Sequence, residues 1–207
     1  MTKPILSILI PYTLDRQSEY DVLYNRLLFL GVNTDKYNGV VEEISDFGGK
    51  EITIGEKRER MYKCANGLYS WQIDCDDDIA DDSIELILKA IKENPDVDCV
   101  TFEERCQMNG QLYCANHSLK YDDWEGDGSR LLPDGFHFRR TPFYKDVIKT
   151  SIAQSVPFQH IRFGEDHAWS RDLKPHLKTE VHIPKQLYYY IHEHNQTFEE
   201  RYGFNTK

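Results

Sequence analysis

Apolar positions along the chain switch repeatedly between the period of a strand and that of a helix. The run ILSILI (5–10) is continuous, short and stopped by Pro11, as in a strand buried on both faces. SEYDVLYNRLLFLG (18–31) carries helical spacing through Val22, Leu23, Leu27 and Leu30. Ser18 is placed to cap that helix and Gly31 to stop it. GVVEEIS (39–45) and ITIG (52–55) read as strands, and EKRERMYKCANG (56–67) as a charged helix closed by Gly67. LYSWQI (68–73) is a further strand. DDSIELILKAIKENP (81–95) is an amphipathic helix capped by Asp81 or Asp82 and ended by Pro95, and DCVTFEE (98–104) is another strand. Strands alternating with helices predict an α/β fold around a mixed, mainly parallel sheet.

The second half changes character. RCQMNGQLYC (105–114) contains an Asn-Gly pair, a strong hairpin signal. DDWEGDGSRLLPDG (122–135) is a polar loop that suits a movable lid, and FHFRR (136–140) returns to strand alternation. A helix is expected after Thr141-Pro142, with another through EDHAWSRDLKPHL (165–177); EVHIP and LYYYIH finish as two strands. With no repeat or linker, the chain reads as one domain over 1–207: a nucleotide-binding half (1–104) and a loop-rich half (105–207).

Composition narrows the function. The 207 residues are 40% hydrophobic and 13% aromatic, which suits a packed core. A net charge of -10 argues against a polyanion-binding surface. No apolar run reaches the ~20 residues of a membrane span, and the N-terminus lacks a signal-peptide pattern. The five cysteines match neither a zinc motif nor a disulfide framework, so a reducing cytoplasm is the expected compartment.

The chemistry concentrates in SWQIDCDDD (70–78), where Asp74, Asp76, Asp77 and Asp78 follow an apolar strand. Ligands of open α/β sheets bind beyond such strand ends. Asp74 and Asp76, with one residue between them, can lie on one side of an extended chain. Their oxygen-only donors suit Mg²⁺ or Mn²⁺ that already carries phosphate. The alternative is an acidic approach to a helix N-terminus, a role that suits Asp81 and Asp82 better.

The order SILIP, then GEKRERMYKCANGLYSWQIDCDDD, then GED some ninety residues on, resembles the inverting GT-A glycosyltransferases of family 2 across roughly residues 5–195. The resemblance implies that Asp74 touches the donor ribose or the metal, and that Asp76 ligates Mn²⁺ or Mg²⁺ on the donor diphosphate, with Asp77 able to share that work. Pro11 and Thr13 would line the nucleotide pocket, although Tyr12 stands where the family commonly has Thr. Asp46 would contact the base, in a segment that matches the family only loosely. Asp166 would be the general base, with Glu165 supporting it or touching the acceptor. In the closing segment LYYYIHEHNQTF, His192 or His194 would join the metal or a phosphate.

Other residues stay open. Lys57 and Arg58 either offset diphosphate charge or form an ion-pair face with Glu56 and Glu59, and Arg139 and Arg140 share that ambiguity. Trp124 and Trp169 either stack on an acceptor or pack in the core, and Cys75 points into the core. The expected activity is transfer of a hexose or pentose from a nucleotide-diphosphate donor, a UDP-sugar, to the hydroxyl of a glycan, small molecule, protein or hydroxylated nucleobase. A nucleotidyltransferase is the alternative, though IPYTLDRQ lacks the glycines of a phosphate-cradling loop. A non-catalytic nucleotide-sugar-binding protein of the same fold is the other.

Overall fold

A computed structural model describes residues 3–192. Its elements are β1 (Leu6–Pro11), α1 (Gln17–Leu30), β2 (Val41–Asp46), α2 (Ile54–Cys64), β3 (Tyr69–Gln72) and β4 (Asp78–Ile79). They continue with α3 (Ser83–Glu93), β5 (Cys99–Met108), β6 (Gln111–His117), β7 (Phe138–Arg140), β8 (Val147–Lys149), α4 (Thr150–Ala153), α5 (Glu165–Leu173) and β9 (Glu180–His192). The strands form one sheet in the order β2-β1-β3-β8-β5-β6-β7, with β9 beside β5 and β4 beside β9. β1, β2 and β3 are parallel, and β5 and β9 share their direction across the antiparallel β8. β4, β6 and β7 run the other way, so the sheet is mixed with the majority direction that of β1.

Alternation along β1 divides the core. Leu6, Ile8 and Ile10 pack with Leu23 and Leu27 of α1 and Ile84 and Ile87 of α3. Leu9 points the other way, toward Met61 and Tyr62 of α2 and Trp169 and Leu173 of α5. That is the layering of a buried parallel sheet. Trp169 stacks on Phe158 (4.5 Å) and Tyr62 (5.4 Å), so it packs in the core and is not placed to touch an acceptor.

Local chemistry explains where the elements end. Gly31 closes α1 at φ 104°, as its position implies. Asn109 (φ 52°) and Gly110 (φ 74°) make the tight β5–β6 hairpin. Ser18 does not cap α1: a 3-10 turn (Leu14–Arg16) leads in, and the Ser18 hydroxyl donates to Glu19. ITIG is not a strand. Thr53 Oγ1 accepts the Glu56 N–H at 3.2 Å, so a Thr-x-x-Glu cap starts α2 inside that stretch. α2 ends at Cys64, before Gly67, whose bare Cα lets it pack on Ser7; a Cβ there would meet Ser7 N at 2.7 Å.

No helix starts at Thr141-Pro142, and the next element is β8. The carbonyls of Tyr144 and Lys145 accept from Gln72 N (3.3 Å) and Trp71 Nε1 (2.7 Å), which draws them away from a helical ladder. EVHIP and LYYYIH are one strand, β9, whose register against β5 shifts around Glu103.

A buried charged chain crosses the sheet. Lys145 Nζ donates to Glu104 Oε1 (2.7 Å). Glu104 Oε2 lies 3.2 Å from His117 Nε2, and Asp146 Oδ1 lies 3.1 Å from His117 Nδ1. Burial alone would lower the His117 pKa, but Asp146 and Glu104 outweigh it and push it up to about 9. Glu104, raised by burial, is drawn down to about 2 by Lys145 and His117.

The His117 pKa is raised from 6.5 to about 9, so its stabilisation is complete below pH 6.5 and lost as pH rises through about 9. The unfolding free energy of wild type minus that of His117→Gln, measured by urea denaturation, should therefore shrink by a few kcal/mol across that window. A difference that stays flat between pH 6.5 and 9 would remove the charged histidine.

Candidate active site

β1 and β3 end side by side, and their carboxyl ends open into a cleft of about 580 Å³. Its walls include Pro11, Tyr12 and Thr13 after β1, Lys57 and Arg58 of α2, Asp74 and Asp76 after β3, and Glu165 and Asp166 of α5. Eight of the residues singled out from sequence thus share one cavity: Pro11, Thr13, Lys57, Arg58, Asp74, Asp76, Glu165 and Asp166. Asp46 and His192 are not among its walls. Asp46, at the end of β2, accepts the Gly48 N–H (3.0 Å) and pairs with Arg60 (3.2 Å). His192 ends β9, its ring 6.0 Å from that of Tyr190. His194 lies outside the described residues.

The four aspartates diverge. Asp74 accepts a fork from Arg58, Nη1 to Oδ1 at 2.9 Å and Nη2 to Oδ2 at 3.2 Å, and a third bond from the Tyr144 hydroxyl at 2.7 Å. Asp76 faces the cleft and pairs with Arg16 at 2.8 Å. Asp77 turns inward, accepting from the Tyr188 hydroxyl (2.7 Å) and the Ile191 N–H (2.9 Å). Burial, with Asp76 and Asp74 nearby, pushes its carboxyl up to about 8 against the pull of Lys145. Asp78 pairs with Arg26 of α1 at 3.3 Å.

This spread bears on the metal. Mg²⁺ or Mn²⁺ carrying substrate phosphates needs only one or two protein carboxylates. Among the described residues no group of three His, Cys, Asp or Glu side chains is arranged to hold an ion. Asp76 fits the smaller requirement, since it presents hard oxygen donors to the cleft. Asp74 is held by three donors, and Asp77 is enclosed.

Arg58, 4% exposed, organises the floor. Besides Asp74 it donates to Gln72 Oε1 (2.9 Å) and Glu165 Oε1 (3.3 Å), and its guanidinium lies 3.5 Å over the Tyr144 ring. One side chain thus joins α2, β3, α5 and the segment before β8. Burial raises the Glu165 pKa while Arg58 opposes the rise. Glu165 is therefore a structural partner of Arg58. Asp166, half-buried, lines the cleft and accepts its neighbour's N–H, from His167, at 2.8 Å. Lys57 also lines the cleft, and its ammonium donates to the Tyr12 carbonyl (3.0 Å) and to that of Gly48.

Sequence reasoning did not reach Tyr144, Gln72 or Arg16; Tyr144 and Arg16 line the cleft, as does Tyr190. Arg16 and Tyr144 had no motif around them to mark them. Tyr12 stacks on Tyr20 at 4.2 Å, so aromatic surface occupies the carboxyl end of β1. Beside Asp166, His167 stacks on Trp124 (4.7 Å) and bonds Asp123 (2.8 Å), and Arg140 lies 4.9 Å over Trp124. Trp124 thus joins α5 to the polar loop 122–135.

Solved structures share this architecture. The crystal structure of S. aureus TarS 1–349 superposes with a TM-score of 0.62 at 14% identity, covering 92% of this chain and 60% of that one. The same segment in complex with UDP matches at TM-score 0.62 and 15% identity, again over 92% and 60%. Its complex with UDP-GlcNAc matches at 0.63 and 13%, over 95% and 60%. The chain therefore spans about 60% of the length of those structures. The likeness is one of fold: the α/β, GT-A type arrangement around a single central sheet. No protein-family model and no curated protein matches the sequence. No helix among the described residues is long and apolar enough to cross a membrane.

The Arg58 hub carries a direct test. Arg58→Leu leaves the Asp74 and Glu165 carboxylates without their cation and should cost about 3 to 5 kcal/mol of unfolding free energy in urea. Arg58→Lys, which keeps the charge and loses the fork, should cost less. Equal and small losses would mean that Arg58 is not the hub.

Proposed function

We propose that the chain is an inverting, metal-dependent glycosyltransferase that moves a sugar from a nucleotide-diphosphate donor, a UDP-sugar, to an acceptor hydroxyl. One observation carries this reading: a single cleft at the carboxyl ends of β1 and β3 holds Asp76 and Asp166 together. The fold shared with a protein solved with UDP and with UDP-GlcNAc supports the choice of donor.

The nucleotide lies at the β1 end, against Pro11, Tyr12 and Thr13. Asp76 would hold Mn²⁺ or Mg²⁺, which when bound would supply positive charge against the leaving diphosphate. Asp74 does not move toward the donor. Locked by Arg58 and Tyr144, it sets the path of the turn that aims Asp76.

Inversion requires one base on the acceptor side. The acceptor oxygen attacks the anomeric carbon from the face opposite the diphosphate, and its proton passes to a carboxylate. Asp166 takes that role. It stands at the start of α5, and Glu165 ties that turn to Arg58 and so fixes where the Asp166 carboxylate sits. Trp124 and the loop 122–135 flank the acceptor side.

Release of UDP from UDP-GlcNAc with a panel of hydroxyl acceptors tests the assignment. Asp166→Asn should lower turnover by about 10²- to 10⁴-fold while donor binding stays intact. Asp76→Asn should lose metal-dependent donor binding. Full turnover by Asp166→Asn would strike it out as the base.

A further inference from the structure

A cavity that takes a diphosphate must meet its charge, and most cations lining this one are already engaged. Arg16 pairs with Asp76 (2.8 Å), Lys50 with Asp15 (2.9 Å), and Arg58 with Asp74 and Glu165. The Lys57 ammonium donates to two backbone carbonyls. Arg162 differs. It lines the same cavity and is exposed, and no acidic partner pairs with it among the described residues.

Its loop is anchored on both sides. At Gln159 the backbone packs so closely on Gly55 of α2 that a Cβ on Gly55 would come within 2.0 Å of the Gln159 carbonyl oxygen. At the other end, Gly164 adopts φ 80° and leads into Glu165, which Arg58 holds. Between these points Ile161, Arg162 and Phe163 are exposed. A guanidinium on such a loop can reach phosphate oxygens with paired N–H donors, and among the described residues no carboxylate pairs with it.

We propose that Arg162 is a diphosphate-binding cation of the cleft, gripping the group that leaves when the sugar is transferred. This rests on the donor assignment above and adds the residue that meets the diphosphate charge from the α5 side. Arg162 would bind the same group whose charge the cation at Asp76 neutralises, four residues ahead of the base.

Calorimetric titration of UDP, UMP and inorganic pyrophosphate, with Mg²⁺ present, into wild type, Arg162→Ala and Arg162→Lys tests this. Thermal unfolding serves to confirm that both variants are folded. Arg162→Ala should weaken UDP and pyrophosphate by about 10- to 100-fold and UMP by less, with Arg162→Lys between. Wild-type affinity of Arg162→Ala for UDP and pyrophosphate would overturn the assignment. Wild type that binds pyrophosphate through Arg162 but not UDP would remove the nucleotide donor and keep the anion site. Wild type that binds neither would remove both.

Discussion

A guanidinium withdrawn from water must be surrounded by acceptors, and Arg58 has them: Asp74, Gln72 and Glu165, with the Tyr144 ring against its face. The cost of burying an ion is several kcal/mol, so this arrangement holds only while every partner stays in position. Those partners come from the end of β3, the first turn of α5 and the segment before β8. The geometry of the cleft follows from that single constraint, because Asp76 is two residues from Asp74 and Asp166 is next to Glu165.

The same requirement runs on through the sheet. The Asp74 N–H donates to the Tyr188 hydroxyl (3.0 Å), which donates to Asp77, and Asp77 lies 3.7 Å from Lys145. Lys145 pairs with Glu104, and Glu104 with His117. Buried polar and charged groups thus run in a connected chain from the cleft floor to β5 and His117. This explains the crowding of acids after β3. Four aspartates in five residues take separate places: Asp74 compensates the buried Arg58, Asp77 is bonded inside by Tyr188 and Ile191, Asp78 fastens α1, and Asp76 faces the cleft.

Much of this was legible in the sequence and some was not. The strand–helix alternation was plain because buried strands and amphipathic helices carry different periods, and the Asn-Gly hairpin followed from positive φ. Asp76 stood out because it lies just past a strand end, and Asp166 because its Gly-Glu-Asp motif carries the family resemblance. ITIG misled because its apolar residues fit a strand, although Thr53 and Glu56 carried the capping signal. Tyr144 and Lys145 were hidden because their place depends on their carbonyls accepting from Gln72 and Trp71, more than seventy positions away in the chain. Glu104 reads as an ordinary strand residue and nothing around His117 marks it, since no local pattern signals a buried ion pair made by strand pairing. The contacts expected of Asp46 and His192 rested on a family pattern alone, and neither residue lines the cleft.

The most direct measurement is a crystal structure of the chain with UDP and Mn²⁺. The diphosphate should lie in the cleft between Asp76 and the loop of Arg162, with the cation on Asp76 and the Arg58–Asp74 fork unchanged. A nucleotide seated away from the ends of β1 and β3, or an Asp74 freed from Arg58 to hold the metal, would contradict the central claim that Arg58 fixes Asp74 so that Asp76 alone serves the cation.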